Sequence, residues 1–84
     1  MPQGTRPEPD AHAKAVADII RAEMGDEMTI ADVSRTTGIP RPTLSHILNH
    51  RRQPYLSQLR AMAAAVGIPL PQLLDKAEKM QPGA

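Results

Sequence analysis

The chain has 84 residues, enough for one small domain, and it contains no cysteine, so disulfides and thiolate zinc sites are excluded. Its apolar share is 40%, yet Phe and Trp are absent and Tyr55 is the single aromatic residue. No apolar run approaches the roughly 20 residues of a membrane span, and the net charge of +1 excludes nothing by itself. The composition predicts an all-α fold whose core is built from Ala, Leu, Ile, Val and Met.

The charge is unevenly distributed along the sequence. Residues 1–28 hold three basic and six acidic groups, residues 29–60 hold five basic and one acidic, and residues 61–84 hold two of each. A central positive zone is typical of a protein that contacts a phosphate backbone on one side. An ordinary solvated surface is the alternative interpretation, and charge alone does not separate the two.

Residues 1–9 carry three prolines and almost no apolar side chain, which predicts a flexible N-terminal arm. A first helix is predicted to begin after the N-cap residue Asp10 and to end near Met24, before Gly25. Its apolar residues recur at spacings of three and four, as in one buried stripe: Ala13, Val16, Ala17, Ile20 and Met24.

Two short helices separated by a tight turn follow. Thr29 can cap the second helix, and Gly38 at its end can adopt the left-handed conformation. The third helix is predicted to begin at Pro40 or Arg41 and to end near Asn49. The residues of the second helix expected to be buried are Ile30, Val33, Ser34 and Thr37.

Two further helices complete a compact five-helix domain over residues 10–80, with a flexible tail over 81–84. The fourth is predicted from Tyr55 to Val66, with an inward face of Leu56, Leu59, Met62, Ala63 and Val66. The fifth runs from Leu70 or Pro71 to Met80, with an inward face of Leu70, Leu73, Leu74 and Ala77. The connectors Gly38-Ile-Pro and Gly67-Ile-Pro are alike, and in both the Ile is expected to pack back on the preceding helix.

The third helix has one face that does not belong in a core. On a helical wheel its apolar residues fall on one side: Leu44, Ile47 and Leu48. The opposite side carries short or hydrogen-bonding groups: Arg41, Pro42, Ser45, His46 and Asn49. Because the major groove of DNA admits a helix whose exposed side chains reach base edges, this face predicts base reading. A merely solvent-exposed face is the alternative.

The candidate base-reading residues differ in what they can recognise. Arg41 is the strongest, because its guanidinium can bond O6 and N7 of guanine together. Ser45 can donate or accept, and His46 can bond guanine or a phosphate according to its protonation. Pro42 offers only an apolar contact, such as one to a thymine methyl group.

The expected phosphate contacts surround this helix. Arg51 and Arg52 follow it directly, and the N-termini of the second and fourth helices offer free N–H groups. Arg60 is as compatible with a solvated role as with a contact. The predicted phosphate-binding residues are Thr29, Arg35, Thr43, Asn49, His50, Arg51, Arg52 and Tyr55.

Three motifs in this order resemble the lambda repressor/Cro family of helix-turn-helix domains, also called the XRE family: Thr29-Ile-Ala-Asp-Val-Ser, Gly38-Ile-Pro, and Thr43-Leu-Ser-x-Ile-Leu-Asn. The resemblance spans about residues 13–77. It implies a five-helix domain that binds operator DNA, usually as a dimer, and that represses or activates transcription. The base-reading positions that it implies are those of the wheel: Arg41, Pro42, Ser45 and His46.

The chain departs from the family pattern at three positions. Ser34 lies where the family usually buries Ala, and its hydroxyl is expected to bond back along its own helix. Pro42 occupies a position that often reads a base. His50 replaces a frequent Gly after the reading helix, which is expected to alter that turn.

Other classes of function find less support in the sequence. An enzyme is not expected, because the chain lacks a Cys nucleophile, a Gly-rich phosphate loop and a carboxylate pair near a His. His46 and His50 have the spacing of metal ligands, but no third ligand is near, so neither metal nor cofactor is expected. The competing hypothesis is an antitoxin-like or adaptor module that binds a protein partner on the same scaffold.

Double-stranded operator DNA is therefore the expected partner. A homodimer through helix 70–80 is also compatible, because Leu70, Leu73, Leu74 and Met80 could close the core or form a two-fold contact. Neither a membrane nor a small-molecule ligand is expected as a partner. The sequence predicts a transcriptional regulator in the bacterial cytoplasm, such as a phage or prophage immunity repressor or a Cro-like protein, although a bacterial regulator is equally compatible.

Overall fold

A computed structural model describes residues 9–80, and within them there are helices but no strands. The helices are α1 (Ala11–Met24), α2 (Ile30–Thr37), α3 (Arg41–Leu48), α4 (Leu56–Val66) and α5 (Leu70–Lys79). The all-α prediction is confirmed, and so is the order of the five helices. The predicted arm, apart from Pro9, and the predicted tail over 81–84 lie outside the described residues. In the described part, no helix is long and apolar enough to cross a membrane.

The helix boundaries follow from local capping. The Asp10 side chain accepts a hydrogen bond of 2.8 Å from the Ala13 N–H and so begins α1. Gly38 ends α2 in the left-handed conformation, with a φ of 79°, and its N–H donates to the Ser34 carbonyl at 2.8 Å. The caps that the sequence indicated at Asp10 and Gly38 are therefore confirmed.

One apolar core holds the helices together. α1 packs against α3, α4 and α5, while α2 packs against α3 and α4. Ile39 and Ile68 of the two Gly-Ile-Pro connectors are buried, as expected from the sequence. The largest fully buried side chains are Ile20, Val33, Leu44, Ile47, Met62 and Leu73.

Two residues expected in the core lie at the surface. Leu56, the first residue of α4, is 57% exposed, and the buried residues of this helix are Met62 and Ala63. Leu74 is 39% exposed, because the core contacts of α5 run through Leu73 and Ala77 instead. In α2 only Val33 is buried, while the other three residues expected inside are half-buried: Ile30, Ser34 and Thr37.

Candidate nucleic-acid interface

Side-chain hydrogen bonds fix the turn between α2 and α3. Thr37 Oγ1 donates to the Val33 carbonyl at 2.7 Å and accepts from the Ile39 N–H at 3.1 Å. Ser34 Oγ donates to the Ile39 carbonyl at 2.6 Å. The expectation that Ser34 bonds back along its own helix is wrong, because the carbonyl of the following turn approaches its hydroxyl instead. These bonds hold the angle between the two helices.

The helix α3 is anchored on one side and open on the other. Leu44, Ile47 and Leu48 are at most 3% exposed, whereas Arg41, Pro42 and His46 are exposed and Thr43 and Ser45 are half-buried. Pro42 lies in the first turn, where its missing N–H costs no intrahelical hydrogen bond. The predicted base-reading residues thus share one accessible surface of α3, and their contacts with DNA remain predictions.

The end of α3 is tightly closed by backbone hydrogen bonds. The Arg51 N–H donates to the His46 carbonyl at 2.7 Å, and the His50 N–H donates to the Ile47 carbonyl at 3.2 Å, which is the Schellman pattern. His50 takes the left-handed conformation that this pattern requires, with a φ of 63°. The expectation that His50 alters the turn is therefore wrong: the histidine adopts the glycine-like backbone instead.

The side chains after α3 contact the outer face of α1. His50 Nε2 lies 2.8 Å from Asp18 Oδ1, so one of its two ring nitrogens is already engaged. Beside this pair, Pro9, Lys14, His50 and Arg51 line a cavity of about 330 Å³. The Lys14 and Arg51 side chains are exposed cations at this cavity, a combination that suits a phosphate oxygen.

The N-terminus of α2 carries the predicted cap and a charged pair. Thr29 and Asp32 form a reciprocal capping box, with bonds of 3.0 and 3.1 Å. The Thr29 backbone N–H that donates to Asp32 lowers the pKa of this carboxyl, and the Thr29 side chain and the Arg35 guanidinium act in the same direction. Arg35 lies 2.8 Å from Asp32, so its positive charge is partly neutralised within the helix.

The loop between α3 and α4 joins the start of α1 to the start of α4. Gln53 Oε1 accepts a hydrogen bond of 3.0 Å from the Asp10 N–H. The Tyr55 N–H donates to Gln58 Oε1 at 2.8 Å, and the Tyr55 side chain is 64% exposed. Arg52 is half-buried, whereas Arg51 is exposed. The predicted phosphate-binding residues lie at α2, on α3 and between α3 and α4. We call this set the rim, and its contacts with phosphate stay predictions.

Three residues of α1 that the sequence analysis did not single out belong to this region: Lys14, Asp18 and Arg21. Asp18 contacts His50, and Arg21 contacts Leu48 and Asn49. All three lie on the exposed side of α1, where polar residues in the sequence predicted only contact with solvent. Their partners are about thirty residues away along the chain, so no local pattern could have indicated them.

Comparison with known proteins agrees with this geometry. The helix-turn-helix family model matches residues 26–73, which contain α2, the turn, α3, α4 and the first part of α5. The chain belongs to the XRE-type helix-turn-helix family. No curated protein sequence matches it.

Solved structures of other proteins share the fold. Two structures of the clp gene regulator ClgR from Corynebacterium glutamicum are 20% and 19% identical to the chain, both with a TM-score of 0.73. The first alignment covers 87% of this chain and 78% of that one, and the second covers 89% and 99%. A hypothetical transcription factor, NHTF, from Neisseria is 26% identical, with a TM-score of 0.69 and coverage of 92% and 98%.

Membership of the XRE-type family identifies the general function. The domain is a DNA-binding domain of the kind found in transcription regulators. The sign of regulation and the operator are a separate question.

Proposed function

We propose that this chain is a sequence-specific transcriptional repressor that binds double-stranded operator DNA and reads the major groove with α3. The observation that carries this proposal is the outward face of α3. Arg41, Pro42 and His46 are exposed there, while the opposite face is fixed in the core. A rigid helix with free hydrogen-bonding side chains fits the groove without repacking the domain.

The rim around α3 supplies affinity in this proposal. Arg51, Arg52 and Lys14 offer positive charge on the side of the loop that follows α3. The N-termini of α2 and α4 contribute the positive ends of their dipoles. The N–H groups of Thr29 and Tyr55 themselves already donate to Asp32 and Gln58. These contacts are the same for every sequence, so they position the protein and leave discrimination to α3.

The finer proposal is a phage or prophage immunity repressor or a Cro-like protein that acts in the bacterial cytoplasm. Such a protein represses by occupying its operator. It therefore requires no catalytic group, no cofactor and no small-molecule ligand. The same geometry also serves a bacterial regulator, and the identity of the operator distinguishes the two.

Selection from a random duplex library tests the proposal. We expect the wild-type chain to enrich one short motif. If the chain binds as a homodimer through α5, the motif occurs twice, with half-site centres about one helical turn, or 10 to 10.5 base pairs, apart. Recovery of no sequence preference at low salt would overturn sequence-specific binding.

The second candidate function is an antitoxin-like or adaptor module with a protein partner. Exposed large apolar side chains on α4 and α5 and at their cap positions favour it: Tyr55, Leu56, Leu74 and Met80. Salt separates the candidates, because the logarithm of a DNA-binding constant falls with the logarithm of salt concentration with a slope of about −0.9 per phosphate contacted. An apolar protein interface responds only weakly to salt.

A further inference from the structure

A chain of hydrogen bonds connects α1 with the outer side of α3. Arg21 Nη1 donates to the Leu48 carbonyl at 3.3 Å and to Asn49 Oδ1 at 3.1 Å. Asn49 Nδ2 donates in turn to Ser45 Oγ at 3.2 Å. Ser45 and Asn49 are four residues apart, so they are neighbours on one side of the helix. We call these bonds from Arg21 through Asn49 to Ser45 the relay. It ends on the hydroxyl of Ser45, a candidate base-reading residue.

The chemistry of Arg21 fixes the direction of this relay. A guanidinium carries five N–H donors and no acceptor, so only the amide oxygen of Asn49 can face it. A flipped amide would bring two donors together, at Arg21 and at the Asn49 nitrogen. The Asn49 amino group is therefore directed at Ser45. Arg21 is held in place by its hydrogen bond to the Leu48 carbonyl. This carbonyl is one of the last of α3, and a positive charge is favourable at the C-terminus of a helix.

The direction of the relay determines what Ser45 can offer to a ligand. Its oxygen accepts a hydrogen bond from the Asn49 amino group. This bond occupies one of its two lone pairs and leaves the hydroxyl hydrogen free to point elsewhere. A helical serine often donates to the carbonyl four residues earlier. Among residues 9–80, however, the Ser45 hydroxyl donates to no acceptor. Ser45 is half-buried at the edge of the exposed face of α3, so its hydroxyl hydrogen is available to an acceptor outside the protein.

We propose that Arg21 is a positioning residue for DNA specificity: through Asn49 it makes Ser45 a hydrogen-bond donor that selects a base acceptor. This inference rests on the proposed function of α3 as the reading helix. In the major groove, N7 and O6 of guanine and O4 of thymine are acceptors, whereas N4 of cytosine is a donor. Adenine also presents an acceptor there, N7. The base facing Ser45 is therefore guanine, thymine or adenine in preference to cytosine, which presents only a donor.

The test begins with a duplex selected by the wild-type chain from a random library. The base pair at which Ser45→Ala loses its preference is the pair that Ser45 contacts. The dissociation constants of two duplexes are then compared, one with guanine and one with cytosine at the contacted base. Their ratio removes any change in affinity that is equal for all sequences, including the change caused by an altered protein charge.

The wild-type chain is expected to favour guanine roughly three- to tenfold, the range expected for one net hydrogen bond. Asn49→Asp should reverse the ratio, because the new carboxylate accepts the Ser45 hydrogen and turns the oxygen lone pairs towards the groove. Arg21→Met should move the ratio towards one, because the amide is then free to flip. Arg21→Lys is the matched control: it keeps donors and no acceptor, so it should keep the wild-type ratio.

Each outcome decides the inference. A ratio that is unchanged in both Asn49→Asp and Arg21→Met overturns the relay while leaving the reading helix intact. A Ser45→Ala variant that loses preference at no base pair also overturns it, because the hydroxyl then reads no base. Failure of the wild-type chain to enrich any duplex overturns the proposed function itself. If Asn49→Asp fails to fold, as judged by its thermal melt, the comparison of Arg21→Met with Arg21→Lys decides alone.

Discussion

Arg41 and Arg51 lie at opposite ends of α3 and are expected to act differently. Arg41 is the first residue of the helix and is exposed on its outer face. We predict that Arg41→Ala reduces discrimination between operator and altered operator by about 1–3 kcal/mol, through loss of a two-point contact with guanine. Competition binding against duplexes with single base-pair changes measures this loss.

Arg51→Ala provides the matched control for Arg41→Ala. Arg51 lines one cavity together with Lys14 and His50 and is proposed to contact phosphate, so its replacement should weaken binding to all duplexes equally. It should also reduce the salt slope by about one unit. If Arg41→Ala behaved in the same way, with operator selectivity untouched, Arg41 would not read a base.

Asp32 makes the stability of the domain depend on pH in the acid range. Its hydrogen bond from the Thr29 N–H lowers its pKa in the folded chain below the ordinary value of 3.8. The stabilisation is therefore fully present above that value and is lost as the pH falls through the lower, folded-state pKa. We predict that the stability difference between the wild-type chain and Asp32→Asn disappears over this interval.

Urea unfolding at a series of pH values measures the Asp32 effect. The unfolding free energies of the two proteins should differ near neutral pH and should converge in acid. A difference that stayed constant below pH 3.8 would show that the Asp32 carboxyl does not exchange its proton with a shifted pKa.

Single residues show where the sequence was and was not informative. The cap at Thr29 could be predicted, because a capping box involves residues only three positions apart. The bond from Ser34 to Ile39 could not, because it depends on how the turn folds back on α2. The left-handed backbone of His50 was not predicted, although the signal was present: His50 stands where the family often has Gly, and histidine is among the residues enriched at positive φ.

At the level of elements, the turn between α2 and α3 depends on Gly38. Its φ of 79° suits glycine, and no atom lies within 4 Å of the position that a Cβ would occupy. We predict that Gly38→Ala lowers the unfolding free energy by about 1 kcal/mol through backbone strain alone. Thermal or urea unfolding measures the loss.

Gly67→Ala is a close control for Gly38→Ala. Gly67 has a φ of 80° and the same open surroundings, but it joins α4 to α5. The two substitutions should cost similar stability, and only Gly38→Ala should also reduce operator affinity. Equal effects on operator affinity would argue against a special role of the turn in presenting α3.

Helix boundaries were easier to predict than helix faces. Asp10, Thr29 and the glycines that end α1, α2 and α4 act through neighbouring atoms, so their signals are local. Whether the side chains of Leu56 and Leu74 are buried depends on which other helices cover them. An apolar stripe alone does not contain that information, and both residues lie partly outside the core.

At the scale of the whole molecule, the outward side of α5 is the surface through which a homodimer was predicted to form. Leu74 and Met80 are 39% and 51% exposed, while Leu73 closes the core. If the chain dimerises through α5, Leu74→Glu should convert the dimer to a monomer without unfolding it. Sedimentation measures the change, and Ala64→Glu on the exposed side of α4 is the control. Dimerisation that survives Leu74→Glu would place the contact elsewhere.

The interface as a whole was only partly visible in the sequence. The positive zone over residues 29–60 and the wheel of α3 predicted the side that we propose faces DNA. The contribution of α1 was hidden, because Lys14 and Arg21 approach the end of α3 only after the helices pack. Folding thus brings two basic residues of the mainly acidic segment 1–28 close to the end of α3.

Mapping the backbone amide signals of the chain during titration with its selected duplex tests the central claim most directly. If α3 reads the major groove, the largest shifts should occur in residues 41–55 and at the start of α2, with Arg21 and Lys14 also affected. The outward side of α5 should be unchanged once the shifts caused by any dimerisation are subtracted. Shifts confined to α5, or none along α3, would contradict the account.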